Sequence, residues 1–339
     1  MAAPRPTSGT PEWLDQIREP IFDPVRPIVD PHHHLWPKGG ALPYGVDELV
    51  ADTTSGHNVR ATVFVECGAG YRTEGPEHLR CVGETEFVAA AAVDLTSRYA
   101  DAPAIDGIVA SADLTDSRLD EILDAHEAAG GGRFRGIRDA LARSVEPDVH
   151  TIPSFNAEGK HADAYFQHGV RRLGERGLTY DSWHYHWQLG EFAALADAAP
   201  DTTLVLNHFG TPCAIGRFAG QLDAIFETWR LSLAAVAERP NTVIKLGGLA
   251  MPDNGFGYHE RGRPPSSDEL LDDQRRWYEH AIECFSPERC MFESNFPIDR
   301  FSVSYHVYWN AMQKLASQYS NADQSAMFAG TAQQIYSLD

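Results

Sequence analysis

The sequence has few cysteines and no pattern that would pair them. Its 339 residues include five cysteines, an odd number, and no C-x-x-C motif. This excludes a disulfide framework and a zinc knuckle, and it is typical of a protein of the reducing cytoplasm. The cysteines that lie in or beside apolar runs, Cys67, Cys284 and Cys290, are expected to be small buried hydrophobic residues rather than nucleophiles.

Long apolar segments and positive charge are also scarce. No stretch has the about 18 consecutive apolar residues of a membrane helix, and the start, MAAPRPTSGTPEW, lacks the apolar core of a signal peptide. The 28 Lys and Arg against 48 Asp and Glu give a net charge of −20, which repels nucleic acid phosphates and anionic lipids. We therefore expect a cytoplasmic protein with a small-molecule substrate and no nucleic acid or membrane partner. Association into a homo-oligomer is left open.

Eight short β-branched or apolar runs recur along the chain, each followed by turn residues and a helix-like stretch. They lie at residues 27–35, 61–67, 105–110, 134–139, 178–186, 202–208, 242–246 and 289–294. Between them, segments such as 117–129 have apolar residues at spacings of three and four, as expected for helices that cover a sheet. This alternation predicts parallel strands.

The strands can close into a barrel or remain an open, doubly wound sheet. No G-x-G-x-x-G or phosphate-binding loop follows the first run, and polar residues cluster at many strand ends. We therefore predict an α/β fold, a (β/α)8 TIM barrel with extended βα loops, as one domain over residues 1–339 with an N-terminal extension at 1–20. The insertions at 68–84, 141–159 and 247–265 would lie on the catalytic face as a substrate lid, or would be mobile surface decoration.

The strongest chemical signal is the segment DPHHHLW at residues 30–36. Alternation along a strand places Asp30, His32, His34 and Trp36 on one face and His33 on the other. Two inward imidazoles two residues apart can bind one divalent metal ion. The alternative is a hydrogen-bonded pair in the core.

This segment and several others resemble the amidohydrolase superfamily, in particular its lactonase-like branch with 2-pyrone-4,6-dicarboxylate lactonase and sugar-acid lactonases. The likeness covers most of the chain and rests on DPHHHLW, TVFVECGA, GIRDA, YHWQL, VLNHFG, IKLGGL and MFESNFPID. It implies histidines from strands one, five and six around the reacting group. His32, His34 and His186 match the metal positions, with His184 as the alternative on strand five, and His208 matches the residue that orients or deprotonates water.

Strand eight departs from the family pattern. Where the family has Gly-Ser-Asp-Trp-Pro, this chain has Glu-Ser-Asn-Phe-Pro at residues 293–297. The amide of Asn295 cannot act as a general base, so Glu293 on the same face or Asp299 beyond it would supply the missing carboxylate. Glu293 can instead be a paired structural carboxylate. The resemblance thus implies a divalent metal, zinc foremost, but leaves metal-independent catalysis open.

An arginine and several loop residues are candidates for substrate contact. Arg138, in GIRDA, resembles a family arginine that contacts the substrate carboxylate or carbonyl, and its alternative is a salt bridge with Asp139 or another acid. Glu66 is a lower-ranked metal, acid-base or arginine-pairing group. The other candidates, which would select an anionic substrate or line the pocket, are Tyr71, Arg72, Trp36, His259, Arg261 and Arg263.

These observations favour an enzyme that opens a small anionic or hydroxylated lactone with activated water. Arg138 would stabilise the oxyanion that forms on the carbonyl oxygen. One alternative is non-oxidative decarboxylation of an aromatic acid, because related barrels use similar histidines for that reaction. Another alternative is a non-catalytic barrel that binds a small anion, which the replacement at Asn295 favours and the strand-end histidines oppose.

Overall fold

The computed structural model describes residues 7–152, 154 and 156–338. Residues 1–6 of the predicted N-terminal extension, residues 153 and 155 of the predicted 141–159 insertion, and residue 339 lie outside this range. Eight strands form one parallel sheet in sequential order. They are β1 (Pro27–His33), β2 (Asn58–Val65), β3 (Ala104–Ala110), β4 (Phe134–Arg138), β5 (Thr179–Ser182), β6 (Leu204–Leu206), β7 (Thr242–Leu246) and β8 (Cys290–Phe292).

A helix follows each strand, as the spacing of apolar residues predicts. The helices are α1 (Pro11–Leu14) before β1, then α2 (Val46–Thr53), α3 (Val82–Arg98), α4 (Leu119–Ala129), α5 (Ala164–Glu175), α6 (Leu189–Ala198), α7 (Leu222–Ala237), α8 (Ser267–Phe285), α9 (Tyr305–Ala316), α10 (Asn321–Ser325) and α11 (Thr331–Ile335). None of the helices in the described ranges is long and apolar enough to cross a membrane.

Backbone hydrogen bonds between β1 and the segment after β8 close the ring of strands. The N–H of Asn295 donates to the carbonyl of His32 at 3.0 Å, and the N–H of His34 donates to the carbonyl of Phe296 at 2.8 Å. Asp30 adds a side-chain link, because it accepts hydrogen bonds from the N–H of Ser294 at 2.9 Å and from its hydroxyl at 2.6 Å. The predicted (β/α)8 barrel is confirmed.

The molecule has an outer and an inner apolar core. The outer core lies between the strands and the surrounding helices. The inner core fills the barrel with small and β-branched side chains, mostly valines, together with Met291 from β8. Ala332 in α11 and Tyr336 just after it pack against this inner core. The segment that follows α11 lines a groove with Phe134 and Leu178, which lie at the amino-terminal ends of β4 and β5, so it covers that end of the barrel.

β5 is much shorter than the predicted run at 178–186. It ends at Ser182, and a 3-10 turn at His186–Gln188 follows. One backbone hydrogen bond continues beyond Ser182, from the N–H of Leu141 to the carbonyl of Trp183 at 3.0 Å. After it, the side chain of Gln188 bonds to the segment that follows β4, because it accepts from the N–H of Arg143 at 2.9 Å and donates to the carbonyl of Leu141 at 2.8 Å. The residues beyond Ser182 therefore lose the alternation on which the prediction for His186 depended.

Candidate active site

Two histidines and a glutamate meet at the carboxyl-terminal ends of β1, β6 and β8. His32, His208 and Glu293 each offer a ligand atom, and these atoms lie within 4.8 Å of one another. Within the described part of the chain, this is the group of three such residues close enough to hold one metal ion. All three side chains are almost completely buried. The structure thus joins the predicted His32 and His208 to Glu293, one of the two proposed replacements for the missing aspartate.

Glu293 lies between the two imidazoles. One carboxylate oxygen, Oε1, accepts a hydrogen bond from Nδ1–H of His208 at 2.7 Å. The other, Oε2, lies 2.7 Å from Nδ1 of His32 but without the alignment of a hydrogen bond. Burial raises the pKa of Glu293 to about 8, although the nearby cation of Lys245 opposes the increase. Burial thus favours the protonated carboxyl group of Glu293, and the positive charge of Lys245 favours the carboxylate.

The turn after β6 brings His208 into this position. His208 and Phe209 both have left-handed backbone conformations, with φ of 54° and 59°, which are uncommon for residues other than glycine. The indole N–H of Trp229 donates to the carbonyl of Phe209 at 2.8 Å and holds the turn. Gly248 makes room for the ring, because a Cβ atom there would lie 2.5 Å from Nδ1 of His208. Such backbone strain is typical of functional sites.

Arg138 lies beside the cluster, but its main partner is Glu66 rather than Asp139. Its Nε donates to Oε1 of Glu66 at 2.7 Å, and its Nη2 donates to the Glu66 carbonyl oxygen. Its Nη1 lies 3.4 Å from Nε2 of His32. Asp139 instead pairs with Lys160 at 3.0 Å. The guanidinium is therefore fixed by Glu66 with one nitrogen facing the histidines.

His34 lies next to the cluster, with its ring centroid 4.9 Å from that of His32. Its Nδ1–H donates to the carbonyl of Val65 at 2.7 Å, which leaves the lone pair on Nε2. Burial holds the pKa values of His32, His34 and His208 well below their ordinary range, and the positive charge of Arg138 adds to this effect. The three rings are thus neutral at pH 7 and can act as bases or ligands.

The structure does not bring the β5 histidines to this cluster. The side chain of His184 faces away from the barrel axis, where Nδ1 contacts the hydroxyl of Ser182 at 2.9 Å and the ring packs on Phe192. In the turn after β5, Nδ1 of His186 accepts a hydrogen bond from the N–H of Cys213 at 3.1 Å, and its ring packs on Trp187. His184 continues the outward face of β5, which also carries Tyr180 and Ser182, whereas His186 lies in the turn beyond the strand. The predicted grouping of His32 and His34 with His186 is therefore not the arrangement in the structure.

The second proposed replacement for the aspartate, Asp299, has a different environment. One of its oxygens accepts a hydrogen bond from the side-chain amide of Asn295 at 2.9 Å, and the other accepts from the N–H of Ala250 at 3.3 Å. Burial raises the pKa of Asp299 to about 8. Asp299 thus connects Asn295 to the loop after β7, whereas Glu293 contacts the histidines.

A buried ion pair beneath the cluster was not predicted. The ammonium of Lys245 in β7 lies 2.9 Å from Oδ2 of Asp181 in β5 and donates to the carbonyl of Pro31 at 2.8 Å. It also lies 3.5 Å from Nδ1 of His32. The sequence contains a signal for this pair, because a lysine inside the apolar strand TVIKL must be paired if that strand is buried.

Loops from both sides meet at the carboxyl-terminal face of the barrel. The N–H of Thr151, after β4, donates to Oδ1 of Asp253, after β7, at 2.8 Å. The hydroxyl of Tyr185, after β5, contacts Nδ1 of His150 at 2.7 Å and donates to the carbonyl of Ile152 at 3.2 Å. The cavity between these loops has a volume of about 10 Å³, roughly the space for one water molecule. The loops after β4, β5 and β7 are therefore packed closely against one another.

The predicted substrate-binding residues are spread around this face and mostly paired. Arg72 pairs with Glu86, with Nε 3.1 Å from Oε2, and Arg261 pairs with Asp273 at 3.2 Å. His259 lies 3.8 Å from Glu260. Tyr71 is partly exposed. Trp36 packs beside His34, with ring centroids 5.9 Å apart, and lines a separate groove of about 510 Å³ with Phe87.

Comparison with known proteins gives relatives that cover most of the chain. An uncharacterized protein of Sinorhizobium fredii, y4mH, is 29% identical over 91% of this chain and 98% of its own length. The L-fucono-1,5-lactonase of Burkholderia multivorans is 30% identical over 61% of this chain and 64% of that protein. A crystal structure of an amidohydrolase from Burkholderia multivorans with bound zinc has 24% identity and a TM-score of 0.69, and it covers 92% of this chain and 99% of that one.

A family model supports the same relationship. The model described as amidohydrolase matches residues 29–338, which include β1 from its third residue, the other seven strands, and the His32, His208 and Glu293 cluster. The resemblance inferred from the sequence motifs is thus confirmed, and so is the expectation of an enzyme of the hydrolase class. The chain belongs to the amidohydrolase family.

Proposed function

We propose that this protein hydrolyses a small lactone through attack of water on the ring carbonyl, and that His32, His208, Glu293 and Arg138 form its catalytic centre. The observation that carries the proposal is the buried carboxyl group of Glu293 between two imidazoles, with the cations of Arg138 and Lys245 beside them to favour its ionised form. The similarity to an L-fucono-1,5-lactonase supports this class of reaction.

His208 is the proposed general base. Glu293 accepts the hydrogen bond from its Nδ1–H, so the lone pair lies on Nε2. His208 takes a proton from the attacking water while the water oxygen bonds to the carbonyl carbon. The ring C–O bond then breaks, and the same proton passes to the departing alkoxide, which gives the open hydroxy acid. Glu293 stabilises the imidazolium that exists between these steps, as a buried carboxylate does in other histidine-based sites.

Arg138 is the proposed group that stabilises the oxyanion. Because Glu66 occupies its Nε and Nη2, Nη1 is the nitrogen that faces the cluster. A fixed cation at the carbonyl oxygen stabilises charge that develops in the transition state without a further cost of reorganisation. Removal of one such donor reduces kcat by about 10²- to 10³-fold in other enzymes.

The cluster also has the donors that a divalent metal requires. Oε2 of Glu293 is buried without a hydrogen bond, and it lies close to ring nitrogens of two histidines. His32, His208 and Glu293 would hold the ion, with zinc favoured by nitrogen donors. Bound zinc would lower the pKa of a water molecule and polarise the carbonyl. Lys245 and Arg138 both lie within 3.5 Å of His32 and add positive charge, which opposes the binding of a dication. Their charge therefore supports the mechanism in which His208 is the general base and no metal takes part.

The charges around the site favour a neutral, hydroxylated lactone over an anionic one. The arginines expected to select an anion are compensated by acids, since Arg138 pairs with Glu66, Arg72 with Glu86 and Arg261 with Asp273. A carboxylated substrate would have to displace these acids or enter beside them, whereas hydroxyl groups can donate hydrogen bonds to them. This refines the expectation from the sequence, which allowed either class.

A substrate panel tests the proposal. L-fucono-1,5-lactone and other neutral sugar lactones are compared with 2-pyrone-4,6-dicarboxylate and with hydroxybenzoates, and release of acid and of carbon dioxide is measured. We expect acid release from a neutral lactone, its loss in Glu293→Gln, and little turnover of the dicarboxylate. Release of carbon dioxide from a hydroxybenzoate would support the decarboxylase instead. Tight binding without turnover across the panel would support the non-catalytic barrel.

A further inference from the structure

Tyr336 enters the barrel from the end opposite the active site. It follows α11, is 1% exposed, and packs against the valines of the inner core. Its hydroxyl lies 3.0 Å from Oδ1 and 2.9 Å from Oδ2 of Asp181. Its ring also lies beneath the ammonium of Lys245, 5.1 Å from the centroid. Tyr336 therefore contacts both members of the buried ion pair.

The carboxylate of Asp181 contacts donors from β5, from β7 and from the residue that follows β6. Its carboxylate accepts hydrogen bonds from the hydroxyl of Thr179 at 3.3 Å and from the side-chain amide of Asn207 at 3.0 Å, and it pairs with Lys245 at 2.9 Å. The Tyr336 hydroxyl is the donor that arrives from outside the sheet. Because each oxygen of Asp181 lies near that hydroxyl, Tyr336 restricts the rotation of the carboxylate and so the position of the ammonium.

Lys245 connects Asp181 to His32 of the proposed catalytic cluster. Its ammonium donates to the carbonyl of Pro31, the residue before His32, and lies 3.5 Å from Nδ1 of His32. The same imidazole nitrogen lies 2.7 Å from Oε2 of Glu293. A displacement of the ammonium therefore acts on both the backbone that precedes His32 and the charge that faces its ring. In a buried, low-dielectric setting, such displacements have large effects.

We propose that Tyr336 is a positioning residue of the active site, which fixes His32 against Glu293 through Asp181 and Lys245. The contacts form a continuous path from the amino-terminal end of the barrel to its carboxyl-terminal face. Tyr336 takes no part in the chemistry, because the ion pair separates it from the cluster. The inference rests on the proposed function only for its kinetic consequence, and the position of His32 can be measured without a substrate.

The test compares Tyr336→Phe with Tyr44→Phe. Tyr44 is a matched control, because its buried hydroxyl also donates to a carboxylate, Oδ2 of Asp52 at 2.9 Å, which contacts Arg300 rather than the cluster. Histidine ring nitrogens are observed by NMR in protein with labelled histidine, and His32→Gln assigns the His32 signals. We expect the His32 ring signals to shift in Tyr336→Phe and to remain unchanged in Tyr44→Phe.

Kinetics with L-fucono-1,5-lactone, or with whichever lactone of the panel is hydrolysed, give the second readout. We expect Tyr336→Phe to lower kcat about tenfold with KM nearly unchanged, since misplacement of catalytic groups affects the chemical step. Tyr44→Phe should leave both constants unchanged. If no lactone is hydrolysed, the proposed function fails, and the NMR comparison alone decides the role of Tyr336.

Unchanged His32 signals in Tyr336→Phe would overturn the proposal, and so would equal shifts in both variants, which would indicate general loosening. If Tyr336→Phe does not fold, Thr179→Val removes another hydroxyl that donates to Oδ1 of Asp181. A shift of the His32 signals in that variant supports the path through Asp181, and its absence overturns it.

Discussion

The carboxyl-terminal ends of β1 and β5 both carry two histidines separated by one residue, but the structure uses them differently. At β1, His32 contacts Glu293 and Arg138, and His34 lies beside it. At β5, the ring of His184 packs among residues outside the barrel, and that of His186 packs on Trp187. The β5 end instead contributes Tyr185, whose hydroxyl contacts the loop after β4.

The difference shows that an H-x-H pattern predicts an inward pair only when the register of its strand is known. In β1 the register shifts between Asp30 and His33, so Asp30 contacts Tyr305 of α9 outside the barrel whereas His32 faces Glu293. In β5 the inward residues are Thr179 and Asp181, so His184 faces outward with Ser182, and His186 lies in the turn beyond the strand. The β1 histidines therefore lie beside Glu293 and Arg138, whereas the β5 histidines do not.

The largest expected effect is on activity, and it distinguishes the histidines at the end of β1 from those at the end of β5. His32→Gln should reduce kcat/KM by about 10³-fold or more, because the residues of a catalytic unit act together. His186→Gln should retain activity within about threefold, since its ring contacts Cys213 and Trp187 rather than the cluster. Steady-state kinetics on the same lactone measure both. Similar losses in the two variants would mean that the β5 end takes part in the chemistry.

Zinc affinity is the second property that should distinguish the histidines at the end of β1 from those at the end of β5. We expect the wild-type protein and His186→Gln to bind zinc with equal affinity, and His32→Gln and Glu293→Gln to bind it at least about 10-fold more weakly, because they lack a donor of the cluster. Calorimetric titration measures the affinity, and elemental analysis the ion retained on purification. Weaker binding in His186→Gln alone would restore the ligand set predicted from the sequence. Activity that persists after chelation would favour the version of the mechanism based on His208.

A smaller effect tests the role of the β5 end as a support for the loops. Tyr185→Phe removes the hydroxyl that contacts His150 and Ile152. We expect KM to rise about threefold to tenfold with kcat within twofold, because the change affects binding equally in the ground and transition states. Kinetics over a wide substrate range measure this split. A fall in kcat at constant KM would instead place this hydroxyl in the chemistry.

The smallest effect concerns stability and pH at His184. Burial holds its folded pKa well below 6.5, so below about pH 6.5 the unfolded chain binds a proton that the folded protein does not. Stability therefore falls as the pH decreases, by up to about 1.4 kcal/mol per pH unit for this group. Between pH 7 and pH 5.5, the free energy of unfolding of His184→Leu should therefore fall by about 1–2 kcal/mol less than that of the wild type. Urea unfolding at both pH values measures this, and parallel losses would contradict it.

The fold was largely predictable, because each strand of the barrel is an apolar run bounded by turn residues. The positions of His32 and Glu293 at the ends of predicted strands also placed both at the same end of the barrel. The predicted alternation was wrong for Asp30, which contacts Tyr305 of α9 rather than sharing the face of His32, because the register of β1 shifts between Asp30 and His33. The partners of the buried charges were not predictable, because they depend on the register between strands that are distant in sequence. Arg138 pairs with Glu66, which the sequence offered as an arginine-pairing group, but no local pattern favoured Glu66 over the neighbouring Asp139.

The position of Tyr336 has a consequence for the order in which the protein matures during synthesis. The ribosome adds this residue after all eight strands, so a nascent chain that already contains every catalytic side chain still lacks the ring that fills the amino-terminal end of the barrel. A chain that ended just before α11 would thus contain all eight strands but lack the hydroxyl that contacts both oxygens of Asp181.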